Sequence, residues 1–420
     1  MTDAAALSHL FLGRQPILDG KQTLIGYELL FRDSSINRAP AAGPGVATAD
    51  VICKAFTELG LAKALNSHKA FVIVDEAFLE HDAIEALPPD SVVFELDAHL
   101  AASPRAVERC LTLRQCGYSF CLTHRGTDVS AHDSELLEQA MFVKLDVQAL
   151  PEARLRELLA QAAPHRLITI ASHVETHAEH RRATELGFQF FQGYYFAEPV
   201  LIEGRKLDPA LQGLVRIIKL LNEDAELPAI EQAFKGEAAL TVKLLRLTNS
   251  VGVGLRTRIG SVRQAINIIG RRPLQRWLQL LLFSHGDDAA EFERNPLMQL
   301  AALKGNFMER LARRCYPNLT ALPDLAFLAG LMSLMPAALG LPMAEIVDQI
   351  AIAPQLRMAL LAREGELGLL LDLTDSYDND DPVGAGNLLA QLGNRVGRET
   401  LNQCLAESIA WVGSLGVEAD

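Results

Sequence analysis

The sequence predicts an α/β barrel followed by an all-helical domain. Over residues 10–203, short apolar strands alternate with helical stretches, which is typical of a parallel sheet closed by repeated β/α units. From residue 207 onward, apolar residues recur with helical spacing and almost no strand signal remains. We therefore divide the chain into residues 1–203 and residues 204–420.

The first predicted strand, residues 24–32, holds one carboxylate, Glu28, in an apolar run that ends at Arg32. Later predicted strands also end in polar residues. In a parallel barrel, the carboxyl ends of the strands meet at one mouth, where such folds hold their active sites. We expect Glu28 to belong to a ring of polar residues at that mouth. The alternative is a buried strand whose glutamate is simply paired.

The rest of the barrel is predicted from the same alternation, with a Ser-Pro helix start at Ser103. Further strands are expected over residues 70–74, 91–96, 119–123, 142–146, 167–172 and 188–196. Helices are expected over residues 48–65, 77–86, 103–115, 134–140, 151–162 and 176–186.

The second domain is predicted to be a series of helices. They are expected over residues 208–223, 229–234, 238–249, 261–269, 273–284, 296–315, 323–335, 343–350, 354–363 and 385–413. Residues 372–381, with five aspartates, are predicted to form a solvated loop. Calcium binding by this loop is the alternative, but the EF-hand spacing is missing.

Composition limits the class of protein. The chain has 420 residues, of which 49% are hydrophobic and 22% are charged, as expected for a globular protein of two or three domains. No stretch approaches the ~20 apolar residues of a membrane-spanning helix, and the start lacks the basic region of a signal peptide. The six cysteines show no CxxC spacing. We expect a cytoplasmic protein that does not insert into a membrane.

The net charge of −13 is unevenly distributed. Residues 1–203 carry −10 and residues 287–420 carry −10, whereas residues 238–286 contain eight basic residues and no acid. This segment, the basic belt, suggests an anionic partner or an acidic surface of the same molecule. Its basic residues are Lys243, Arg246, Arg256, Arg258, Arg263, Arg271, Arg272 and Arg276.

Four belt arginines are the candidate partner-binding residues. Arg256 and Arg258 lie in a glycine-rich loop, and Arg271 and Arg272 stand at a helix start, positions suited to a phosphate or carboxylate. Nucleic acid is less favoured, because Trp277 is the one aromatic residue near them. A protein partner, or an acidic part of the same chain, is favoured instead.

Several motifs carry a family resemblance. The segments GYELLFR, FELD, FVKLD, HVET and QGYYFAEP occur in this order, and residues 10–203 resemble the EAL domain of cyclic-di-GMP phosphodiesterases. The segments ELPAIEQAF, LTVKLLRLTNS, SVRQAINIIG and FLAGLMSLMPAALG resemble an HDOD domain. The pairing is similar to the YuxH-like EAL–HDOD signalling proteins.

The EAL resemblance implies a barrel whose mouth holds two divalent metals and a dinucleotide. Glu28, Glu95, Lys144, Glu175 and Gln192 match residues of the family motifs. The departures are Ile73 at a metal-binding asparagine, Thr123 and His124 at an Asp-Asp pair, and Ser172 at the candidate water-activating glutamate. We therefore expect a catalytically inactive barrel that uses no metal or other cofactor.

The HDOD resemblance leads to a similar expectation. The related HD hydrolases need a His-Asp pair and further histidines, whereas this chain has Ser333 and Leu334 at the pair and one histidine, His285, after residue 203. We expect a metal-free helical scaffold that acts through contacts with an unidentified protein partner. The resemblance suggests motility or biofilm formation as the output.

Three alternatives stay open at the barrel mouth. His173, His177 and His180, with Glu175, could form a replacement metal site, although surface or capping roles are more ordinary. A cyclic-di-GMP pocket without turnover could use Arg32 for a phosphate and Gln192 for a base, but an empty mouth is favoured. Weak phosphodiesterase activity is the third.

Overall fold

The computed structural model divides into two compact units. It describes residues 10–33, 52, 56, 68–124, 137–199, 209–251, 259, 261–283, 295–350, 352–379 and 381–415. One unit lies within Met1–Glu198 and Asp372–Gly413, and the other within Pro199–Leu371 and Ser414–Asp420. We call them the barrel unit and the helical unit.

Eight strands form a closed barrel in sequence order. They are β1 (Leu10–Asp19), β2 (Leu24–Asp33), β3 (Lys69–Val74), β4 (Val92–Asp97), β5 (Ser119–His124), β6 (Phe142–Asp146), β7 (Ile168–Ser172) and β8 (Phe190–Gln192). The predicted α/β barrel with a helical C-terminal part is confirmed.

Strand β1 was not predicted, and it changes the sheet from fully parallel to mixed. It pairs antiparallel with both β2 and β8, while the remaining neighbours are parallel. Its sequence hides the strand, because Arg14, Gln15 and Pro16 interrupt the apolar run. The turn into β2 is set by Asp19, whose Oδ1 accepts hydrogen bonds at 2.8 Å from the backbone N–H groups of Lys21 and Thr23.

The barrel interior has an apolar layer below its mouth. This layer consists of Ile17, Phe71, Val93, Cys121, Phe142 and Ile170, all buried. Because side chains two residues apart on a strand share a face, the next inward positions toward the mouth are Ile73, Glu95, Thr123, Lys144 and Ser172. The two-residue period of the strands therefore places the predicted site residues next to this apolar layer, on the side of the barrel mouth.

Three of the four helices described within residues 68–199 begin with a side-chain cap. The four helices are α1 (Glu76–Leu79), α2 (Pro104–Gln115), α3 (Glu152–Ala162) and α4 (His177–Leu186). The Ser103 hydroxyl accepts from the backbone N–H of Ala106, and Thr176 and Glu179 form a reciprocal capping box. The predicted helix over 48–65 lies outside the described residues except Ile52 and Phe56, which are helical.

The rest of the described chain is helical. The helices are α5 (Pro209–Asn222), α6 (Leu227–Lys235), α7 (Ala238–Val251), α8 (Val262–Ile269), α9 (Arg271–Leu281), α10 (Pro296–Cys315), α11 (Leu322–Met332), α12 (Met335–Leu339), α13 (Met343–Gln349), α14 (Pro354–Ala362), α15 (Gly365–Asp378), α16 (Pro382–Gln391) and α17 (Arg398–Leu415).

Two predictions in this part were wrong. The aspartate-rich segment is not a loop up to Asp378, because α15 runs through it and buries Leu373 and Tyr377. The single helix predicted over 385–413 is two helices, which are separated where Gly393 and Asn394 both adopt positive φ angles.

The domain boundary predicted at residues 203–204 lies outside the described residues. The compact units differ from a single cut there, since Asp372–Gly413 belongs to the barrel unit and the division falls inside α15. Within the described part of the chain, no helix is both long enough and apolar enough to cross a membrane.

Gly26 allows close pairing of β2 with β3. A Cβ at this position would lie 2.3 Å from the carbonyl oxygen of Lys69, its partner in the parallel register. We predict that Gly26→Ala pushes the two strands apart and lowers the free energy of unfolding by about 1–3 kcal/mol. Thermal denaturation of Gly20→Ala is the matched control, because a Cβ at Gly20 meets no atom within 4 Å. Equal melting temperatures for both variants would contradict the prediction.

Candidate functional site

Four predicted residues come together inside the barrel. Glu28 on β2, Glu95 on β4, Lys144 on β6 and Gln192 on β8 are all buried, and Glu95 is 0% exposed. We call them the lysine–carboxylate cluster. The strands bring these residues to one place although the chain between Glu28 and Gln192 spans 164 positions.

Lys144 is the cation shared by both carboxylates. Its Nζ donates to Oε2 of Glu28 at 3.2 Å and also to Oε1 of Glu95. The side-chain amide of Gln192 donates to the same Oε2 of Glu28, and to Oε1 of Gln15 at 2.8 Å. Charge-assisted hydrogen bonds of this kind are stronger than neutral ones. Both glutamate carboxylates thus accept hydrogen bonds from side chains of the barrel.

The electrostatics keep Lys144 charged. Burial alone would lower the pKa of Lys144, but the carboxylates of Glu28 and Glu95 outweigh it and raise this pKa above its ordinary value. The Lys144 Nζ also lies 5.7 Å from the centroid of the Phe71 ring, in the apolar layer below the mouth. One ammonium against two carboxylates leaves the cluster with a formal charge of −1.

The positions that depart from the EAL motifs carry no carboxylate. Ile73 is paired with Glu95 in the β3–β4 register, and its side chain has no polar atom. The hydroxyl of Thr123 donates to the Leu96 carbonyl at 3.1 Å, and that of Ser172 donates to the Leu145 carbonyl at 3.3 Å. Both hydroxyls therefore bind the carbonyl of the preceding strand.

His124, at the end of β5, is held as a neutral imidazole. Burial lowers the pKa of His124 to about 4, and the nearby Arg154 adds to the effect while Asp97 opposes it. A protonated, positively charged His124 is therefore disfavoured at neutral pH.

The three histidines of residues 172–180 have separate partners. His173, with a positive φ of 59°, places Nδ1 3.1 Å from Oδ2 of Asp146. His177 Nε2 lies 3.2 Å from the Glu198 carbonyl oxygen, and the His180 ring stacks on Tyr195 at 4.2 Å between centroids. Among the residues that the structure describes, no three His, Cys, Asp or Glu side chains form a metal-binding group.

Glu175 and Asp146 complete the mouth. Burial raises the pKa of Glu175, although its Oε2 accepts a hydrogen bond at 3.2 Å from the backbone N–H of Tyr194. Asp146 is oriented by the backbone N–H groups of Gln148 and Ala149, both 2.9 Å from its Oδ1. Burial opposes ionisation of Asp146, but the hydrogen bonds from His173 and these amides lower its pKa overall. The pairing of Asp146 with His173 was not predicted. Its one sequence signal is that Asp146 is the last, polar residue of the strand FVKLD.

The candidate ligand and partner residues are only partly described. The backbone of Arg32 is in β2, but its side chain lies outside the described residues, as do Arg256 and Arg258. Arg271 Nη1 donates to Asp224 Oδ1 at 2.8 Å, and its side chain is 37% exposed. Arg272 is 82% exposed, and its Nη1 lies 3.5 Å from Asp324 Oδ2.

Arg272 is one end of a row of alternating charges in the helical unit, which we call the arginine–carboxylate chain. Asp324 contacts both Arg272 and Arg276, and the buried Glu309 contacts both Arg276 and Arg313. Arg276 Nη2 lies 2.5 Å from Glu309 Oε1 and 3.1 Å from Asp324 Oδ1. Of these residues, Arg272 and Arg276 belong to the basic belt, and Arg272 was predicted to bind a partner. The two acids were not predicted to take part, because they lie beyond the belt in sequence.

Comparisons with known proteins match both parts of the chain. The EAL domain family matches residues 3–199, and the HDOD domain family matches residues 209–340. Over 413 residues, the chain is 26% identical to the uncharacterized protein YuxH of Bacillus subtilis (strain 168), covering 97% of this chain and 98% of that protein. Over 407 residues, it is 28% identical to the cyclic di-GMP phosphodiesterase CdgJ of Vibrio cholerae, covering 96% and 92%.

Solved structures match the N-terminal part. The EAL domain of FimX from Pseudomonas aeruginosa, bound to c-di-GMP, is 22% identical, covering 46% of this chain and 92% of that chain with a TM-score of 0.37. The EAL domain of DcpA from Mycobacterium smegmatis is 20% identical, covering 44% and 90% with a TM-score of 0.36.

We predict that Lys144→Met destabilises the protein strongly at neutral pH. It leaves two carboxylates buried without their cation, and breaking a buried ion pair in this way costs about 3–5 kcal/mol. Because the folded pKa of Lys144 is raised, its contribution is complete below the ordinary lysine value of 10.5 and is lost as pH rises through the folded value. Urea denaturation should therefore show a difference in the free energy of unfolding between wild type and variant that is large at neutral pH and becomes smaller in alkaline solution.

Two further variants separate charge from packing. Lys69→Met is the control, because Lys69 donates to the Asp90 carbonyl at an exposed site and its loss should be nearly neutral. The triple variant Lys144→Met, Glu28→Gln, Glu95→Gln should regain most of the lost stability. A triple variant as unstable as Lys144→Met would show that packing, and not charge, is responsible.

Proposed function

Because the chain carries an EAL domain and an HDOD domain, we propose that it is a bacterial signalling protein whose barrel does not hydrolyse cyclic-di-GMP. It acts in the cytoplasm through contacts with a protein partner, with motility or biofilm formation as the output. We divide it functionally into an EAL-like domain over residues 1–203 and an HDOD-like domain over residues 204–420.

The observation that carries the proposal is the chemistry of the four positions at which this chain departs from the EAL motifs, Ile73, Thr123, His124 and Ser172. Two divalent cations need several hard oxygen ligands with open lone pairs. Ile73, which stands beside Glu95 in the β3–β4 register, offers no ligand atom. The hydroxyls of Thr123 and Ser172 bind strand carbonyls, and His124 is neither charged nor a hard ligand. This set of residues does not fit a pair of divalent metals.

The HDOD part supports the same function. Ser333 and Leu334 stand where the HD hydrolases have their His-Asp pair, and the Ser333 hydroxyl donates to the Gly330 carbonyl at 2.7 Å. Both domains keep an apolar core, although the residues at both hydrolytic sites are altered. We infer that the function of the chain depends on what its surfaces bind. The helical domain therefore acts as a metal-free scaffold.

The second candidate is cyclic-di-GMP binding, with or without slow hydrolysis. CdgJ, which shares 28% identity over nearly the whole chain, is named a cyclic di-GMP phosphodiesterase. Glu28, Glu95, Lys144, Glu175 and Gln192 match the EAL motifs. Binding could therefore persist without the metals, with Arg32 and Gln192 as the ligand-contacting residues.

We predict no turnover of cyclic-di-GMP by the purified full-length protein with Mg²⁺ or Mn²⁺. The readout is chromatographic detection of the linear dinucleotide against a buffer blank, together with calorimetric titration of Mn²⁺ in the absence of nucleotide. Turnover that disappears in a folded Glu28→Gln variant, or stoichiometric Mn²⁺ binding by the wild type, would contradict the proposal.

A restoration variant tests the residue assignment itself. We expect Ile73→Asn, Thr123→Asp, His124→Asp and Ser172→Glu together to bind Mn²⁺ in the calorimetric titration where the wild type does not. Circular dichroism confirms folding before the titration. A folded restoration variant that binds no metal would show that these four positions do not decide metal binding.

We predict that replacing Arg256, Arg258, Arg271 and Arg272 by Gln removes binding of the cellular protein partner while stability stays nearly unchanged. Exposed ion pairs such as Arg271–Asp224 contribute about 0–1 kcal/mol, so the fold does not depend on them. The partner is first identified by affinity capture with the wild-type protein, with and without cyclic-di-GMP, and binding is then measured with purified components.

Two controls make that experiment specific. Arg156→Gln with Arg182→Gln removes two exposed arginines that contact Glu152 on the barrel unit, and it should keep partner binding. His173→Ala alters the half-exposed barrel mouth and should also keep it. Loss of the partner in His173→Ala but not in the four-arginine variant would place the binding surface at the mouth.

A further inference from the structure

The helical unit contains a cavity that shares one residue, Arg272, with the candidate partner-binding set and otherwise plays no part in the proposed function. It has a volume of about 410 Å³ and lies between the end of α5, one face of α9, the start of α11 and the start of α14. Cavities of about 300–1,000 Å³ with mostly apolar walls and a few polar groups are typical of small-molecule sites. All of its lining residues belong to the helical unit.

The two sides of the cavity differ in polarity. Helix α9 contributes four long polar side chains at positions i, i+3, i+4 and i+7, which share one helix face. They are Arg272, Gln275, Arg276 and Gln279. The other side is hydrocarbon, contributed by Leu325, Leu328, Ile352 and Leu356. A ligand with one polar and one apolar side is complementary to this arrangement.

The arrangement of the charges in the cavity, and not its net charge, favours an anion at Arg272. Of the charged residues that line the cavity, Arg272 and Arg276 are cations and Glu223 and Asp324 are anions, so the formal charge of the lining is zero. The inner charges contact one another closely, whereas Arg272 stands at the end of the chain with a 3.5 Å contact and a side chain that is 82% exposed. Arg272 is therefore the guanidinium at which an incoming anion competes best with Asp324.

The polar side of the cavity is also fixed in place. The Arg276 guanidinium lies 4.7 Å from the centroid of the Phe327 ring, and both of its contacts with carboxylates use Nη2. Gln279 lines the cavity and is 3% exposed. Such prearranged donors reduce the conformational entropy that binding would otherwise remove.

We propose that this cavity binds a small organic anion, a phosphate or carboxylate carried on an apolar body. The anion contacts Arg272 at the exposed end of the arginine–carboxylate chain. The apolar body lies against Leu325, Leu328 and Ile352. Asp324 and Glu223 also line the cavity and oppose a highly charged ligand, so a monoanion or dianion with a sizeable apolar part is the class that fits.

The test uses phenyl phosphate as the probe, titrated into the full-length protein and followed by saturation-transfer NMR. We expect saturable binding that is stronger than that of inorganic phosphate, which lacks the apolar body. Arg272→Gln should weaken binding about tenfold, the usual effect of losing one charge-assisted hydrogen bond. The substitution lies at an exposed position, so the fold should tolerate it.

Two variants decide the outcome. Arg263→Gln is the matched control, because it removes a half-exposed belt arginine that pairs with Glu231 and does not line the cavity. It should bind phenyl phosphate like the wild type. Ala353→Trp, at an exposed residue of the cavity wall, should abolish binding by filling the space.

The proposal is overturned if phenyl phosphate shows no saturable binding, or if Arg263→Gln weakens it as much as Arg272→Gln. Unchanged binding in Ala353→Trp would also overturn it, because the probe would then lie elsewhere. Partner binding by the four belt arginines is measured separately, so either idea can fail without the other.

Discussion

A single ammonium between two carboxylates in the barrel interior is the constraint on which the site depends. A buried charge without a partner is far more costly than a buried pair, so Glu28, Glu95 and Lys144 stabilise the fold only together. The three residues are therefore needed for the stability of the barrel whether or not it catalyses a reaction. Their match to the EAL motifs is therefore compatible with the loss of hydrolysis that we propose.

Much of the fold could be predicted because regularly spaced apolar residues indicate strands and helices directly in the sequence. β3 to β7 follow from short apolar runs, each within a residue or two of its predicted bounds. β1 could not be predicted in the same way, because its pairing with β2 and β8, and not its composition, makes it a strand. The aspartates of α15 similarly conceal a helix whose apolar face becomes evident only when Leu373 and Tyr377 are seen to be buried.

The site was predictable to a smaller extent. That Glu28, Glu95, Lys144 and Gln192 face one mouth follows from strand ends, but which of them are paired depends on partners 49 to 164 positions apart. The basic belt shows the same limit. Arg263, Arg271, Arg272 and Arg276 contact acids from outside the belt, at Glu231, Asp224, Asp324 and Glu309, so charge composition along the sequence does not give the local charge in space.

The assignment of Asp372–Gly413 to the barrel unit has a consequence for how the protein is made and handled. On the ribosome, the barrel strands emerge before the whole of Pro199–Leu371, which takes on the order of 10–35 s to synthesise at typical elongation rates. The barrel unit is therefore completed only after almost all of the helical unit has been synthesised. A fragment ending near residue 203 would lack α16 and α17, so recombinant work on the barrel is best done with the full chain.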